Sequence, residues 1–340
     1  MQMKPCAEFK SISLVIPVYN EEAVLQRLFG RLDRLMDQIE GPVEVLMVDD
    51  GSRDSSAAMI CAKAATDARY RYIGLSRNFG HQSAITAGME LAGGSAVIVM
   101  DADLQDPPEL VHDLIDQWQQ GFDIVHARRR SRQGETRFKR LSANLFYRLL
   151  NRLSDIDIPV DVGDFRLIDR RAIETFRAMP EQDRYVRGMF GWMGYRQTIV
   201  EFMRDERAAG KTKYSLFKML RLALDGIIGF SDAPLRWALW AGAGVSLAAI
   251  LYGTYVLTIA LLGVRLVSGW ASLAVLTSLL SGLNLLMIGT VGLYVGRIHR
   301  ETKGRPLYIV ARDTGRPFAS TRADDPVSVA DASPHARLWP

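Results

Sequence analysis

The chain has 340 residues and a net charge of +4, from 42 lysines and arginines against 38 acidic residues. So small a positive excess gives weak support for nucleic-acid binding, and no nucleic-acid partner is expected. The two cysteines, Cys6 and Cys61, lack metal-binding spacing, which argues against a disulfide framework and a zinc site.

Two long apolar runs lie in the last third of the chain. Residues 237–264 and 266–296 contain no charged side chain, and each run exceeds the roughly 20 residues that cross a bilayer core. We therefore expect two transmembrane helices, at about 237–264 and 270–296, that form a hairpin; buried core helices are the alternative. Residues 1–10 are short and polar, which is not typical of a signal peptide.

Basic residues flank the two runs, whereas the connection between them carries only Arg265. Arg236 precedes the first run, and Arg297 and Arg300 follow the second. By the positive-inside rule both flanks face the cytoplasm. The sequence thus predicts a membrane protein in contact with lipid, with its soluble part in the cytoplasm.

The first half alternates short β-branched runs with amphipathic segments. This alternation predicts an α/β fold with a Rossmann-like, mostly parallel sheet and flanking helices. The predicted strands are 13–17, 43–48, 71–75, 96–100 and 124–126. The predicted helices are 22–38, 55–65, 82–91, 108–120 and 138–153.

Composition divides the chain into four expected segments. A soluble domain (1–213) is followed by a juxtamembrane amphipathic helix (214–233), the helix pair (234–300) and a cytosolic tail (301–340). The amphipathic helix is placed at 214–230, where a buried domain helix is the alternative. The end of the tail, from residue 316, is rich in Pro, Asp, Ser and Ala and is expected to be disordered.

Acidic residues follow two predicted strands at the points where these strands end. Asp49 and Asp50 follow the second strand, and Asp101 and Asp103 follow the fourth. Ligands of open α/β sheets bind beyond the carboxyl ends of the strands. Neighbouring carboxylates repel each other unless a cation lies between them, so Mg²⁺ or Mn²⁺ bridging to a diphosphate is one explanation. Helix capping or loop solvation is the other explanation for Asp101 and Asp103.

Several motifs occur together in this chain. Four of them are Val15-Ile-Pro-Val-Tyr-Asn-Glu-Glu22, Val48-Asp-Asp-Gly-Ser-Arg-Asp54, Arg77-Asn-Phe-Gly-His-Gln82 and Asp101-Ala-Asp-Leu-Gln-Asp-Pro-Pro108. This set resembles the family 2 glycosyltransferases of the GT-A fold. Three more are Gly163-Asp-Phe-Arg-Leu167, Asp183-Arg-Tyr-Val-Arg-Gly188 and Gly210-Lys-Thr-Lys-Tyr-Ser215. These resemble the polyprenyl-phosphate glycosyltransferases, a group that includes dolichol-phosphate mannose synthase and the bacterial bactoprenol glucosyltransferases; the resemblance covers about residues 11–305.

The resemblance implies inverting transfer of a single sugar from a nucleotide diphosphate-sugar to polyprenyl (undecaprenyl) phosphate. UDP-glucose is the favoured donor, with GDP-mannose or a modified sugar left open. It also implies Mg²⁺ or Mn²⁺ as cofactor, and a multi-pass protein of the inner (plasma) membrane of a bacterium with its catalytic domain in the cytoplasm. A processive polysaccharide synthase and an inactive membrane scaffold are the alternatives, and a homo-oligomer is left open.

The resemblance further implies which residues bind the donor. The expected nucleotide-sugar-binding residues are Pro17, Tyr19, Glu21, Val48, Asp50, Asp101, Ala102, Asp103, Arg207 and Lys213. Asp50 is expected at the nucleoside base, where a carboxylate can accept from a ring N–H. The divalent metal is expected at Asp103, with Asp101 and Gln105 beside it. The histidines show no ligand spacing, and no role is expected for them.

The acceptor phosphate is expected at Arg128, Arg129 and Arg137, because arginine forks match phosphate geometry; a solvated face is the alternative. The expected catalytic residues are Asp164, Asp103 and Arg128. A lipid phosphate is already anionic near neutral pH, so it needs positioning more than deprotonation. We therefore expect Asp164 to orient the acceptor or a nearby arginine, with general-base catalysis as its second role.

Overall fold

The computed structural model describes residues 10–129, 162–182, 184, 186–202, 233–262 and 269–315. The chain packs as two compact units. Unit 1 comprises Met1–Asp116, Phe165–Arg170 and Tyr308–Pro340, and unit 2 comprises Gln117–Asp164 and Arg171–Leu307. The predicted helices 138–153 and 214–230 and the predicted disorder beyond 316 lie outside the described residues. The domain order 1–213, 214–233, 234–300 and 301–340 stays a prediction.

Four parallel strands form the centre of unit 1. They are β1 (Ile12–Val18), β2 (Val43–Asp49), β3 (Tyr70–Leu75) and β4 (Ala96–Val99), in the order β4-β1-β2-β3. Every residue of these strands is buried. Such burial is typical of parallel strands that are covered on both faces. The predicted mostly parallel sheet is confirmed.

The remaining strands are β5 (Ile124–Arg129), β6 (Val162–Asp169), β7 (Gln197–Phe202) and β8 (Val310–Asp313). In unit 1, β6 pairs antiparallel with β4, and β8 pairs antiparallel with β3. In unit 2, β5 and β7 are parallel neighbours. The strand β8 falls within the segment 301–340 that was predicted as a tail, so residues 310–313 of this segment belong to the sheet of unit 1.

Six helices accompany these strands in the described residues before the apolar pair. They are α1 (Glu22–Gln38), α2 (Ser56–Thr66), α3 (His81–Leu91), α4 (Val111–Gln119, after a 3-10 turn at Pro108–Leu110), α5 (Arg170–Ala178) and α6 (Val186–Trp192). In α1, Leu25, Leu28 and Leu32 are buried at helical spacing. Helix α3 packs closely on β1 because Gly88 has no side chain: a Cβ there would lie 2.1 Å from Val15 Cγ1.

The two apolar runs form the helices α7 (Ala233–Leu261) and α8 (Trp270–Thr302). Over Leu235–Tyr255 and Leu279–Thr302 they are long and apolar enough to cross a membrane. They contact each other, and a Cβ added at Gly242 would lie 3.3 Å from Met287 Cε. Most of their described large apolar side chains are exposed and none is buried, which argues against the alternative of buried core helices.

Candidate active site

A cleft of about 390 Å³ opens at the carboxyl ends of the parallel strands of unit 1. It is lined by Pro17, Val18, Tyr19, Glu21, Asp50, Asn78, Gly80, His81, Ala84, Asp101, Ala102 and Asp103. Parallel neighbours end at the same edge of a sheet, so residues far apart in sequence meet there. Seven of the predicted donor residues share this cleft: Pro17, Tyr19, Glu21, Asp50, Asp101, Ala102 and Asp103.

One wall of the cleft is built by two interlocked loops, β1–α1 and β2–α2. The Asn20 N–H donates to Ser52 Oγ at 3.0 Å, and the Arg53 N–H donates to Asn20 Oδ1 at 2.8 Å. The Glu21 N–H donates to Ser56 Oγ at 2.9 Å. Asn20 has a φ of 56°, a left-handed conformation that asparagine tolerates well. The polar motif residues that do not line the cleft therefore hold its wall in place.

Asp50 lines the cleft and also anchors the loop before α3. Its side chain is buried, Oδ1 accepts from the Phe79 N–H at 2.7 Å, and Oδ2 accepts from the Gly80 N–H at 2.9 Å. Burial raises the pKa of Asp50, although these two hydrogen bonds act in the opposite direction. Asp50 was predicted only to bind the nucleoside base. The structure shows that it also holds the backbone of the loop before α3.

Glu21, Asp101 and Asp103 give the cleft an excess of negative charge. Burial raises the pKa of Glu21, and the nearby charges of Asp103, Asp54 and Asp101 raise it further. A cation in the cleft would relieve this repulsion. The structure therefore has the charge distribution that the predicted metal requires.

Protein side chains alone would not complete the coordination of a metal here. Within the described ranges, no three His, Cys, Asp or Glu side chains are grouped closely enough to hold one. Mg²⁺ is usually held by one or two carboxylates together with substrate phosphates and water. Asp101 and Asp103 fit such an ion when a diphosphate supplies further oxygens. Gln105 donates its backbone N–H to Asp103 Oδ1 at 3.0 Å, but it is not among the residues that line the cleft.

His81 is a cleft residue that sequence reasoning missed. It begins α3, and its Nε2 lies 3.5 Å from Asp101 Oδ1. In the sequence, His81 is not spaced from other possible metal ligands in a way that indicates a site. The available signal was its place in the loop after the third strand, because loops at that end of a parallel sheet face the ligand.

Some predicted residues lie elsewhere. Val48 is fully buried under α3, where a Cβ added at Gly88 would lie 3.1 Å from its Cγ2, and its side chain does not line the cleft. Arg137, Arg207 and Lys213 lie outside the described residues, as does the side chain of Arg129. Their predicted roles stay predictions.

Unit 2 contains two ion pairs that involve predicted acceptor-site residues. Asp164 is 8% exposed, and Arg187 donates to it through both Nε (3.0 Å to Oδ1) and Nη2 (3.2 Å to Oδ2). Arg128 pairs with Glu201, and both side chains are partly exposed. Arg187 is thus a candidate for the nearby arginine that Asp164 was predicted to orient.

Comparison with known proteins decides the family. The profile of Glycosyl transferase family 2 matches residues 13–177. Uncharacterized glycosyltransferase YkcC of Bacillus subtilis (strain 168) is 49% identical over 303 residues, which are 89% of this chain and 94% of that protein. The chain belongs to glycosyl transferase family 2.

Further similarities of this family 2 glycosyltransferase extend beyond the matched domain. The prophage bactoprenol glucosyl transferase homolog of Escherichia coli (strain K12) is 40% identical over 302 residues, which are 88% of this chain and 98% of that protein. Mannosyl-3-phosphoglycerate synthase from Rubrobacter xylanophilus superposes with a TM-score of 0.47 at 18% identity, over 69% of this chain and 75% of that one. The resemblance that the motifs indicated is confirmed at the level of the family.

Proposed function

We propose that this family 2 glycosyltransferase moves a single sugar from a nucleotide diphosphate-sugar to polyprenyl (undecaprenyl) phosphate. The observation that carries the proposal is the meeting of seven predicted donor residues in one cleft at the carboxyl ends of the parallel strands. The name of the relative from Escherichia coli, a bactoprenol glucosyl transferase homolog, supports a lipid phosphate as acceptor and glucose as the sugar. UDP-glucose is therefore our favoured donor.

The cleft offers complementary groups for the parts of such a donor. Tyr19 is 43% exposed, so its ring face is accessible for a nucleoside. The oxygens of Asp50 hold two backbone N–H groups and retain lone pairs for a ring N–H. Arg207 and Lys213 are proposed to bind the diphosphate of the donor.

Asp101 and Asp103, with Gln105 beside them, would hold Mg²⁺ or Mn²⁺. When bound, the ion supplies positive charge that stabilises the departing diphosphate. In the chain itself, the Gln105 N–H fixes Asp103 Oδ1, and His81 approaches Asp101. The Asp103 carboxylate is therefore held in place before the donor arrives.

The proposed reaction is an in-line displacement at the anomeric carbon of the sugar. An oxygen of the acceptor phosphate forms the new bond to this carbon while the bond to the nucleotide diphosphate breaks on the opposite face, which inverts the configuration. Arg128, Arg129 and Arg137 are proposed to hold the acceptor phosphate. Asp164 is proposed to orient Arg187 for contact with this phosphate, and the two hydrogen bonds between them support that role. No proton needs to leave an acceptor that is already anionic.

The helices α7 and α8 are proposed to span the inner membrane of a bacterium twice. Exposed aromatic residues lie near the two ends of the first span, Trp237 and Trp240 at one end and Tyr252 and Tyr255 at the other. At 1.5 Å per residue, positions 237 and 255 are about 27 Å apart, close to the thickness of the hydrocarbon core. Interfacial Trp and Tyr anchor membrane helices in this way. The basic last turn of α8, with His299 and Arg300, supports our proposal that the catalytic domain lies in the cytoplasm.

The test uses the purified full chain with undecaprenyl phosphate, Mn²⁺ or Mg²⁺, and radiolabelled UDP-glucose or GDP-mannose. A single organic-soluble product is expected with one donor, and its formation should fall at least about a hundredfold in Asp103→Asn. Asp37→Asn is the control, since Asp37 is an exposed residue of α1. A water-soluble polymer would instead indicate a processive synthase. No product with any donor would indicate an inactive scaffold.

A further inference from the structure

The strand β3 contains two tyrosines, Tyr70 and Tyr72, whose hydroxyls donate to carboxylates on different elements. Both side chains are buried, and each hydroxyl donates to a carboxylate. Tyr70 donates to Asp33 Oδ1 at 2.8 Å, on helix α1. Tyr72 donates to Asp49 Oδ2 at 3.1 Å, at the end of β2. Only the second carboxylate is next to the cleft residue Asp50.

Asp49 connects Tyr72 with the wall of the cleft. Its Oδ1 accepts from the Ser52 N–H at 3.0 Å, and Ser52 Oγ accepts from the Asn20 N–H at 3.0 Å. Asn20 lies between Tyr19 and Glu21, both of which line the cleft. A continuous series of hydrogen bonds therefore runs from the Tyr72 hydroxyl to the donor-binding loop.

The Tyr72 hydroxyl occupies space that is free because residue 74 is a glycine. A Cβ at this position would lie 2.5 Å from the Tyr72 hydroxyl oxygen and 2.9 Å from Cζ. Residues two apart in a strand project on the same face, so any side chain at 74 would push the ring away from Asp49. The contact between Tyr72 and Asp49 thus depends on a glycine.

Thr314, the residue directly after β8, hydrogen-bonds to the backbone of Tyr72. The Tyr72 N–H donates to Thr314 Oγ1 at 2.9 Å, and the Thr314 N–H donates to the Tyr72 carbonyl at 3.1 Å. The neighbouring Arg71, 2% exposed, donates from Nε to Asp313 Oδ1 at 2.8 Å. The segment that follows the second apolar helix therefore fixes the backbone from which the Tyr72 side chain projects.

We propose that Tyr72, whose backbone is held by Thr314 directly after β8, is a positioning residue for the nucleotide-sugar cleft. It acts through Asp49 and Ser52 on the loop that carries Tyr19 and Glu21. This inference depends on the proposed function, because it assumes that the donor binds in this cleft. It assigns a part in donor binding to a strand that lies beyond the apolar helices in the sequence.

The experiment compares Tyr72→Phe with the matched control Tyr70→Phe in the full chain. Each variant loses one hydroxyl that donates to a carboxylate, on the same strand, so their losses of thermal stability should be similar. Affinity is measured by calorimetry with UDP and with GDP, each with Mn²⁺. Tyr72→Phe is expected to raise the Kd of the bound nucleotide roughly fivefold, equivalent to about 1 kcal/mol, while Tyr70→Phe leaves it within twofold. Gly74→Ala and Thr314→Val should change the Kd in the same direction as Tyr72→Phe.

Hydrogen exchange without ligand gives a second readout that needs no nucleotide. Faster exchange in residues 19–22 and 51–54 is expected for Tyr72→Phe, and faster exchange in α1 for Tyr70→Phe. Equal effects of the two variants on the Kd and on exchange of the loops would overturn the proposal. An unchanged Kd in Thr314→Val would remove β8 from it. If the wild-type chain binds neither UDP nor GDP, the proposed donor site itself is wrong. This outcome is distinct from equal effects of the two variants, which would overturn only the role of Tyr72.

Discussion

Arg187 holds Asp164 through two parallel hydrogen bonds, of 3.0 Å and 3.2 Å. Asp164 is 8% exposed, so its negative charge is balanced mainly by contacts within the protein. Both of its oxygens accept from one guanidinium, an arrangement that fixes the direction of the arginine. The geometry favours an orienting role for Asp164 over that of a general base.

Asp164→Asn should therefore affect the acceptor more than the donor. An asparagine offers one acceptor oxygen, so Arg187 loses one of its two hydrogen bonds and its fixed orientation. We expect kcat/KM for undecaprenyl phosphate to fall roughly tenfold or more, with the Kd of the nucleotide nearly unchanged. Arg187→Lys should give a similar loss, because an ammonium cannot form the fork. Normal turnover in Asp164→Asn would remove this residue from the site.

Two glycines should respond in opposite ways to replacement by alanine. Gly51 has a φ of 70°, and a Cβ there would lie 2.7 Å from the carbonyl carbon of Arg77. Gly51→Ala should cost at least about 2 kcal/mol of unfolding free energy and weaken nucleotide binding. Gly30 lies on the exposed face of α1 with nothing within 4 Å, so Gly30→Ala should stabilise by about 0.5–1 kcal/mol. Chemical denaturation of both variants measures the contrast, and a stable Gly51→Ala would contradict the packing described here.

The sequence predicted the centre of the fold well, because local patterns determine it. The leucine spacing of α1 gave its bounds, 22–38, and the apolar runs of β1, β2 and β4 located the acidic residues at one sheet edge. Three of these acidic residues, Asp50, Asp101 and Asp103, line the cleft, whereas Asp49 does not. A parallel sheet brings strand ends together whatever the loops contain, which is why motif and geometry agree here.

Other features could not be read from local sequence. The strand β8 has four exposed residues and pairs with β3, more than 200 residues earlier, so no local pattern indicates its partner. Asp49 and Asp50 are adjacent in the same motif, yet one accepts from Tyr72 and the other from Phe79 and Gly80. Val48, in the same motif, is part of the core. Such distinctions depend on tertiary contacts that only the folded chain provides.

Glu21→Gln should stabilise the ligand-free protein at neutral pH. The pKa of Glu21 is raised above its ordinary value of 4.5, by burial first and by Asp103, Asp54 and Asp101 next. Ionising a group whose pKa is raised on folding costs stability, so this penalty is absent below the unfolded pKa and appears as the pH rises through the folded pKa. The variant should have a higher Tm than wild type at pH 7.5, and the difference should disappear towards pH 4. Glu40→Gln, at an exposed position, is the control, and a Tm difference independent of pH would contradict this account.

The ion pair between Arg71 and Asp313 should contribute far more to stability than a nearby surface pair. Arg71 is 2% exposed and Asp313 about a third exposed, whereas Arg69 and Asp37 are 37% and 68% exposed. Because Arg71 itself is buried, removal of Asp313 leaves its charge without a counterion away from water, which costs about 3 kcal/mol; an exposed pair contributes less than about 1 kcal/mol. Asp313→Asn should therefore lower the unfolding free energy about 3 kcal/mol, and Asp37→Asn much less. Urea denaturation of the ligand-free full chain, followed by circular dichroism, measures both. Equal losses in the two variants would mean that β8 adds little to the stability of the sheet.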